Sequence, residues 1–259
     1  MSNLSELQSI AEQAARKAGD VLVGVRKHDA GILSAVGRDI KTKADQEAEA
    51  VILQELAVSG IPVLAEESGL HTAGSSGSVK DQLEGSEPLW IVDPLDGTYN
   101  YTRGMPWTCV SIALWQDGAP ALGVIYDFNT DEIWTGIPGQ GATCNGSPIS
   151  VSTTAERGQA VLCTGFPSAR DMSNEALREM FEELQQFKKI RMIGSAALAM
   201  VFVARGWADA YHEESPWIWD IAAGVALIRA AGGDAHITNL QENGQLNIAA
   251  SNGQLNEFF

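Results

Sequence analysis

The stretch Trp90-Ile-Val-Asp-Pro-Leu-Asp-Gly-Thr98 places two carboxylates at the end of a short apolar run. Leu89 to Val92 reads as a buried strand, and Pro94 and Gly97 predict that the chain turns there instead of continuing. Asp93 and Asp96 can then face one cavity. Two carboxylates held this close at the end of a buried strand repel each other, and one takes up a proton unless a cation sits between them. Oxygen-only ligands suit magnesium, which keeps several waters and borrows phosphate oxygens from a substrate. A plainer reading stands beside this one: Pro and Asp-Gly are ordinary turn formers, and an isolated Asp-x-x-Asp-Gly is more often a turn than an active site.

Two further acidic signals lie to either side. Upstream, Ile61 to Ala65 predicts a short buried strand that delivers Glu66-Glu67 to its end, and the Gly/Ser-rich stretch from Gly69 to Ser78 predicts a mobile loop. Downstream, Trp217-Ile-Trp219-Asp220 opens an apolar helix. Taken singly, Glu66-Glu67 is a solvated pair and Asp220 an N-cap or first-turn charge set against the helix dipole.

The rest of the chain supplies a layered scaffold. Leu4, Leu7, Ile10, Ala11, Ala14, Ala18, Val21, Leu22 and Val25 recur at three- and four-residue intervals, predicting an amphipathic helix from Leu4 to Val25. Thr42-Lys-Ala-Asp45 reads as a capping box opening a second helix through Ala48, Val51, Ile52 and Leu56, stopped by Ser59-Gly60. Val110 to Trp115 and Ala121 to Tyr126 flank Asp117-Gly118 as an antiparallel hairpin, and Asn145-Gly146 marks another turn. Beyond, the rhythm alternates: helix Asn174 to Phe187, strand Ile190 to Ile193, helix Ser195 to Arg205, strand Ala208 to His212, and helix Asp220 to Ala231 closed by Gly232-Gly233. We expect one catalytic unit of two halves, 1–150 and 151–259, dividing between residues 145 and 160.

Composition narrows the function. At 259 residues and 45% hydrophobic content the chain can bury a large core. No apolar run approaches the ~20 residues that span a bilayer, and the chain opens on Ser, Glu and Gln instead of a basic-apolar leader, so a soluble cytoplasmic protein is expected. Cys109, Cys144 and Cys163 are widely spaced with no CxxC pair, and are read as buried thiols. A net charge of -16 argues against nucleic-acid polymers as partners. It also repels phosphate esters unless cations cover some of the carboxylates.

In order and spacing, these segments resemble the inositol monophosphatase family of the lithium-sensitive, magnesium-dependent phosphatases. The match runs from Thr42-Lys-Ala-Asp45 through Glu66-Glu67-Ser68, Trp90 to Asn100, Gly194-Ser-Ala-Ala197, Ala208-Asp-Ala-Tyr211 and Trp219-Asp220 to Ala230-Ala-Gly-Gly233. It implies an α+β or α/β fold, the layered αβαβα sandwich shared with fructose-1,6-bisphosphatase. It implies two to three Mg2+ ions: Glu66, Asp93 and the Leu95 carbonyl on one, Asp93, Asp96 and Asp220 on a second, with Glu66 helping to hold a third. Asp45 and Thr98 match the pair that orients a metal-activated water, and the Gly97 and Thr98 amides match the phosphate cradle. Gly194, Ser195, Ala196 and Glu213 fall where the family contacts the alcohol part of the substrate, and the resemblance makes Leu95, Asp96 and Asp220 substrate-binding as well as metal-holding; His212 is read as structural.

The implied activity is hydrolysis of a small polyol phosphate, inositol monophosphate first, by a lithium-sensitive homodimer with no membrane partner. Fructose-1,6-bisphosphatase, histidinol-phosphate phosphatase and 3'(2'),5'-bisphosphate nucleotidase are the alternatives; a bisphosphate would need a basic cluster that the motifs lack. A non-catalytic metal- or ligand-binding regulatory protein is the alternative of another class. Two departures bear on the substrate. Ser34-Ala-Val-Gly37 stands where inositol-phosphate enzymes tend to carry a lysine, leaving Lys41 or Lys43 as candidate replacements; and Glu213-Glu-Ser-Pro-Trp217 adds a second acid, a proline and a tryptophan beside the pocket.

Overall fold

The computed structural model describes residues 3–26, 32–36, 39–71, 77–166, 171–255 and 258. Helices α1 (Leu4–Arg26) and α2 (Lys43–Leu56) pair on one face of an eight-stranded sheet. The first buries a stripe of Leu7, Ala11, Ala14, Ala15, Ala18 and Leu22, whose small side chains let it lie close. The second starts at the expected capping box: Thr42 Oγ1 accepts from the Ala44 and Asp45 amides while the Asp45 carboxylate accepts the Thr42 amide. Between them, β1 (Ile32–Val36) and β2 (Asp39–Thr42) form a two-stranded ribbon that the sequence reading did not anticipate.

The large sheet contains β3 (Val63–Ala65), β4 (Gly69–His71), β5 (Leu89–Asp96), β6 (Cys109–Gln116), β7 (Ala119–Asp127), β8 (Glu132–Ile137), β9 (Gly141–Cys144) and β10 (Ser147–Ile149), in the order β10-β9-β8-β7-β6-β5-β3-β4. The β6–β7 hairpin turns at Asp117-Gly118 and the β9–β10 hairpin at Asn145-Gly146, both through the left-handed conformations that such tight turns require. The predicted Gly/Ser loop is shorter than its composition suggested. Gly69–His71 pairs with β3, Ser78 caps a short helix α3 (Val79–Glu84), and residues 72–76 lie outside the described residues.

A second sheet, ordered β12-β11-β13-β15-β14, is built from β11 (Val161–Cys163), β12 (Lys189–Arg191), β13 (Ala210–Trp217), β14 (Asp234–Thr238) and β15 (Gln245–Ser251). Helices α6 (Ala196–Ala204) and α7 (Ile218–Ala230) fill the layer between the two sheets. They are apolar almost all round, as a helix covered on both sides must be. Gly123 lets α7 touch the large sheet directly, since a Cβ there would lie 2.3 Å from the Ala223 carbonyl oxygen. Outside the second sheet, α5 (Asn174–Leu184) places Leu184 against a small cluster of Leu162, Phe187 and Ala210. The layers therefore run α1/α2, large sheet, α6/α7, small sheet, α5: the αβαβα sandwich. Among the described residues no helix is long and apolar enough to cross a membrane, and all three cysteines are free and buried.

Candidate active site

The alternation of β5 explains how its two acids come to act together. Leu89 and Ile91 face the α6/α7 layer while Trp90 and Val92 face α1 and α2, so Asp93 turns toward α7. A residue three positions further on would point to the opposite face. Instead, Asp93 pairs with Ser111 and Asp96 with Cys109, leaving Pro94 and Leu95 opposite the single residue Val110. This bulge inserts one residue, and the alternation resets. Asp96 consequently shares a face with Asp93, and Leu95 falls on the α1/α2 side. The expectation that Pro94 ends the strand is thus corrected: the strand runs to Asp96, and Pro94, which has no N–H for the ladder, occupies the bulge.

The other acids arrive from neighbouring elements. Strand β3 runs parallel to β5, with Ala65 beside Val92, and the Glu66 amide donates to the Val92 carbonyl at 3.1 Å, which brings Glu66 alongside Asp93. Asp220 lies in the first turn of α7, its carboxylate accepting the Trp217 amide at 2.8 Å. Burial raises the Asp93 carboxyl well above the usual carboxylate range, and Glu66, Asp96 and Asp220 raise it further. Asp220 is pushed up by burial, then by Glu66 and Asp96. Asp96 is raised by burial against hydrogen bonds from Ser195, Ala197 and Ala196. The charges acting most strongly on Asp93 and Asp220 are other carboxylates, which is the setting a hard divalent cation neutralises.

Among the described residues, no three carboxylate, thiol or imidazole groups are already drawn around one point. Asp96 shows how these charges are kept apart: it accepts from Ser195 Oγ at 2.5 Å, the Ala197 amide at 2.7 Å and the Ala196 amide at 3.3 Å, all at the start of α6. Ser195 and Ala196, expected to contact substrate, are directed at Asp96 here.

Just past β5, Thr98 Oγ1 lies 3.2 Å from Asp45 Oδ1 and 3.0 Å from the Leu95 carbonyl. Asp45 is buried, and that raises its carboxyl against hydrogen bonds from Thr42 and Thr98. Gly97 takes φ 87° at the head of the short helix α4 (Thr98–Thr102). A Cβ there would lie 2.6 Å from the Trp107 carbonyl oxygen, so backbone packs where a side chain would be.

The residues expected on the alcohol side are placed less uniformly. Gly194, at φ 73°, packs on the Asn100 amide. Glu213 is buried on β13, receives the Tyr211 hydroxyl, and is one of the acids acting on Asp220. His212 pairs with Glu183 of α5 at 2.7 Å, away from the acids. Lys43 pairs with Glu47 on the exposed side of α2, while Gly37 and the Lys41 side chain lie outside the described residues. The Glu214–Trp217 stretch stays in β13 through a second bulge, with Ser215 at φ 64° and the Trp217 ring stacked on Trp219, centroids 5.0 Å apart.

Two residues of the site escaped the sequence reading. Glu49 is buried and accepts the Glu67 amide at 2.9 Å and the Ser68 hydroxyl, holding the turn that carries Glu66. Its position four residues after Asp45, on the same apolar helix face, was the available signal. Asn100 is buried one turn beyond Gly97; it closes the matched segment Trp90 to Asn100, but no role was read for it.

A family model described as the inositol monophosphatase family matches residues 3–257. The chain belongs to the inositol monophosphatase family. Among curated relatives, "Nus factor SuhB" of Xylella fastidiosa is 38% identical over 87% of this chain and 79% of its own length. Among solved structures, the extragenic suppressor protein suhB of Bartonella henselae is 32% identical, with a TM-score of 0.83 over 96% of this chain and 95% of its own. The inositol monophosphatase of Anabaena is 35% identical, with a TM-score of 0.78 over 98% of this chain and 93% of its own. Membership in the inositol monophosphatase family accounts for the sandwich.

Proposed function

We propose that the chain is a magnesium-dependent phosphatase acting on a phosphate monoester of a small polyol, inositol monophosphate first, and working as a single catalytic unit. The observation that carries this reading is the acidic group of buried Asp93 and Asp96 with half-buried Glu66 and Asp220, in which the charges acting most on Asp93 and Asp220 are other carboxylates, together with the Asp45–Thr98 hydrogen bond. Side-chain oxygens together with the Leu95 carbonyl form a donor set that fits two to three Mg2+ ions. Magnesium, when bound, neutralises phosphoryl charge and lowers the pKa of a water.

The chain's own groups do the rest. Thr98 Oγ1 and Asp45 orient the attacking water and accept its proton, the Gly97 and Thr98 amides hold phosphoryl oxygens, and Glu213 accepts hydroxyls of the alcohol. Asp93, Asp96 and Asp220 would hold a cation on the ester-oxygen side, where it would offset charge on the leaving alcohol. We further propose lithium sensitivity and a homodimer, as the family resemblance implies. A cytoplasmic setting agrees with three free thiols.

The test is phosphate release, with and without Mg2+, from inositol phosphates, sugar mono- and bisphosphates, histidinol phosphate and adenosine bisphosphate. Mg2+-dependent release greatest with inositol monophosphate supports the proposal, and a bisphosphate or histidinol phosphate as best substrate moves it within the superfamily. A second reading, a regulatory binding protein, has the name "Nus factor" of the Xylella fastidiosa relative in its favour. No release from any ester, with Mg2+ present, would establish that reading over catalysis.

A further inference from the structure

Asn100 lies on α4, three residues after Gly97, and is buried. Its side-chain nitrogen is 2.8 Å from the Ile193 carbonyl oxygen, 2.9 Å from that of Trp107 and 3.2 Å from that of Gly194. Carbonyls only accept, so the atom facing them must be the NH2 group, whose two hydrogens serve three acceptors. Three segments thereby meet at one amide: the helix opened by Gly97, the loop before β6 whose Trp107 carbonyl backs Gly97, and the Ile193-Gly194 entry to α6. The Ile193-Gly194 partner lies more than ninety residues away in the chain, and it belongs to the half that carries the alcohol-side contacts.

We propose that Asn100 is a positioning residue that sets the distance between the phosphate-holding turn at Gly97-Thr98 and the alcohol-contacting segment at Gly194–Ala196, and so governs selection among phosphate esters. This rests on the phosphatase reading above. Gly194 supports it from the other side: a Cβ there would come within 3.1 Å of the Asn100 nitrogen, so the two residues are in contact with no side chain between them. The α6 start is also tethered by the Asp96 carboxylate, which accepts from Ser195 Oγ and the Ala196 and Ala197 amides, so losing Asn100 loosens Gly194 without releasing the helix.

The experiment compares kcat/KM for inositol 1-phosphate, whose hydroxyls reach the Gly194 segment, with kcat/KM for p-nitrophenyl phosphate, which offers none. Asn100→Asp replaces the donor by an acceptor that repels all three carbonyls; Asn100→Ala simply removes it and is the variant to use if the first does not fold. The ratio of the two kcat/KM values is expected to fall at least ~10-fold, the size of one lost hydroxyl hydrogen bond, through a raised KM for inositol 1-phosphate. A ratio within about twofold of the unaltered protein's, whatever the change in absolute activity or melting temperature, overturns the proposal and leaves Asn100 as scaffold. Turnover of neither ester by the unaltered protein with Mg2+ present overturns the inositol-phosphate reading and this inference with it, whether or not another ester is hydrolysed.

Discussion

Substituting Gly97→Ala separates the roles of backbone conformation and of close packing at the turn proposed to hold phosphate. At φ 87° an alanine pays the left-handed penalty of roughly 1–2 kcal/mol. Its Cβ would also lie 2.6 Å from the Trp107 carbonyl oxygen, short of the ~3.3 Å of a close C···O contact, so about 0.7 Å of displacement is needed. That displacement falls on the residue before Thr98, whose hydroxyl is 3.2 Å from Asp45. A shift near 1 Å in a catalytic group costs on the order of 100-fold, so kcat/KM should drop roughly 10- to 100-fold. Gly104 is the control: it has φ 72°, and nothing lies within 4 Å of a Cβ there. Gly104→Ala should lose about 2–8 °C of melting temperature from the same backbone penalty and keep its activity. The assay is Mg2+-dependent phosphate release beside thermal unfolding for both variants. A Gly97→Ala enzyme within about threefold of Gly104→Ala, a difference of only ~0.6 kcal/mol, would refute the reasoning.

Other expectations follow from the same geometry. Asp93→Asn should lower kcat by at least ~100-fold, since it removes charge from the acid on which Glu66, Asp96 and Asp220 all act; near-normal turnover at ordinary magnesium concentration would count against its role. Glu49→Gln should raise the magnesium concentration for half-maximal activity by ~10- to 100-fold by loosening the Glu66 turn, with kcat at saturating magnesium changed far less. Asp93 and Asp220 have folded-state pKa values raised above their unfolded values, so their contribution is fully present below the unfolded pKa and is lost as pH rises through the folded one. Metal-free protein in EDTA should therefore melt at a lower temperature as pH rises from about 5 to 8, and Mg2+ should remove most of that slope; a metal-free melting temperature that climbs with pH would contradict the clustering.

How much of this was legible beforehand can be followed residue by residue. The Thr42–Asp45 capping box, the Asp117-Gly118 hairpin and the long amphipathic α1 are local, set by residues a few positions apart, and the structure shows each of them. The sequence reading missed β1, β2, β4, β8 to β11, β14 and β15; most of them run three to six residues, too few for their alternation to stand out. Asp93, Asp96, Glu66 and Asp220 could be named as candidates because acids at the ends of apolar runs are conspicuous and the family resemblance joined them. Their convergence was expected from the turn read at Pro94 and Gly97 and from the resemblance, but the means was not legible: residues three apart on a regular strand point to opposite faces, and the bulge at Pro94-Leu95 that brings Asp96 round to Asp93 exists only in the pairing with β6.

By itself, the sequence determined the local elements and the chemical character of the site: oxygen donors, no basic cluster, and a glycine where the chain turns most sharply. The tertiary structure alone decided which donors share a face, that Asp96 leans on the start of α6, and that Glu49 and Asn100 hold the turns on which the acids sit. The physical reason is that a buried polar group must find its partner wherever the fold brings one, and for Asn100 the Ile193 carbonyl comes from a distant part of the chain that no window of sequence connects to it.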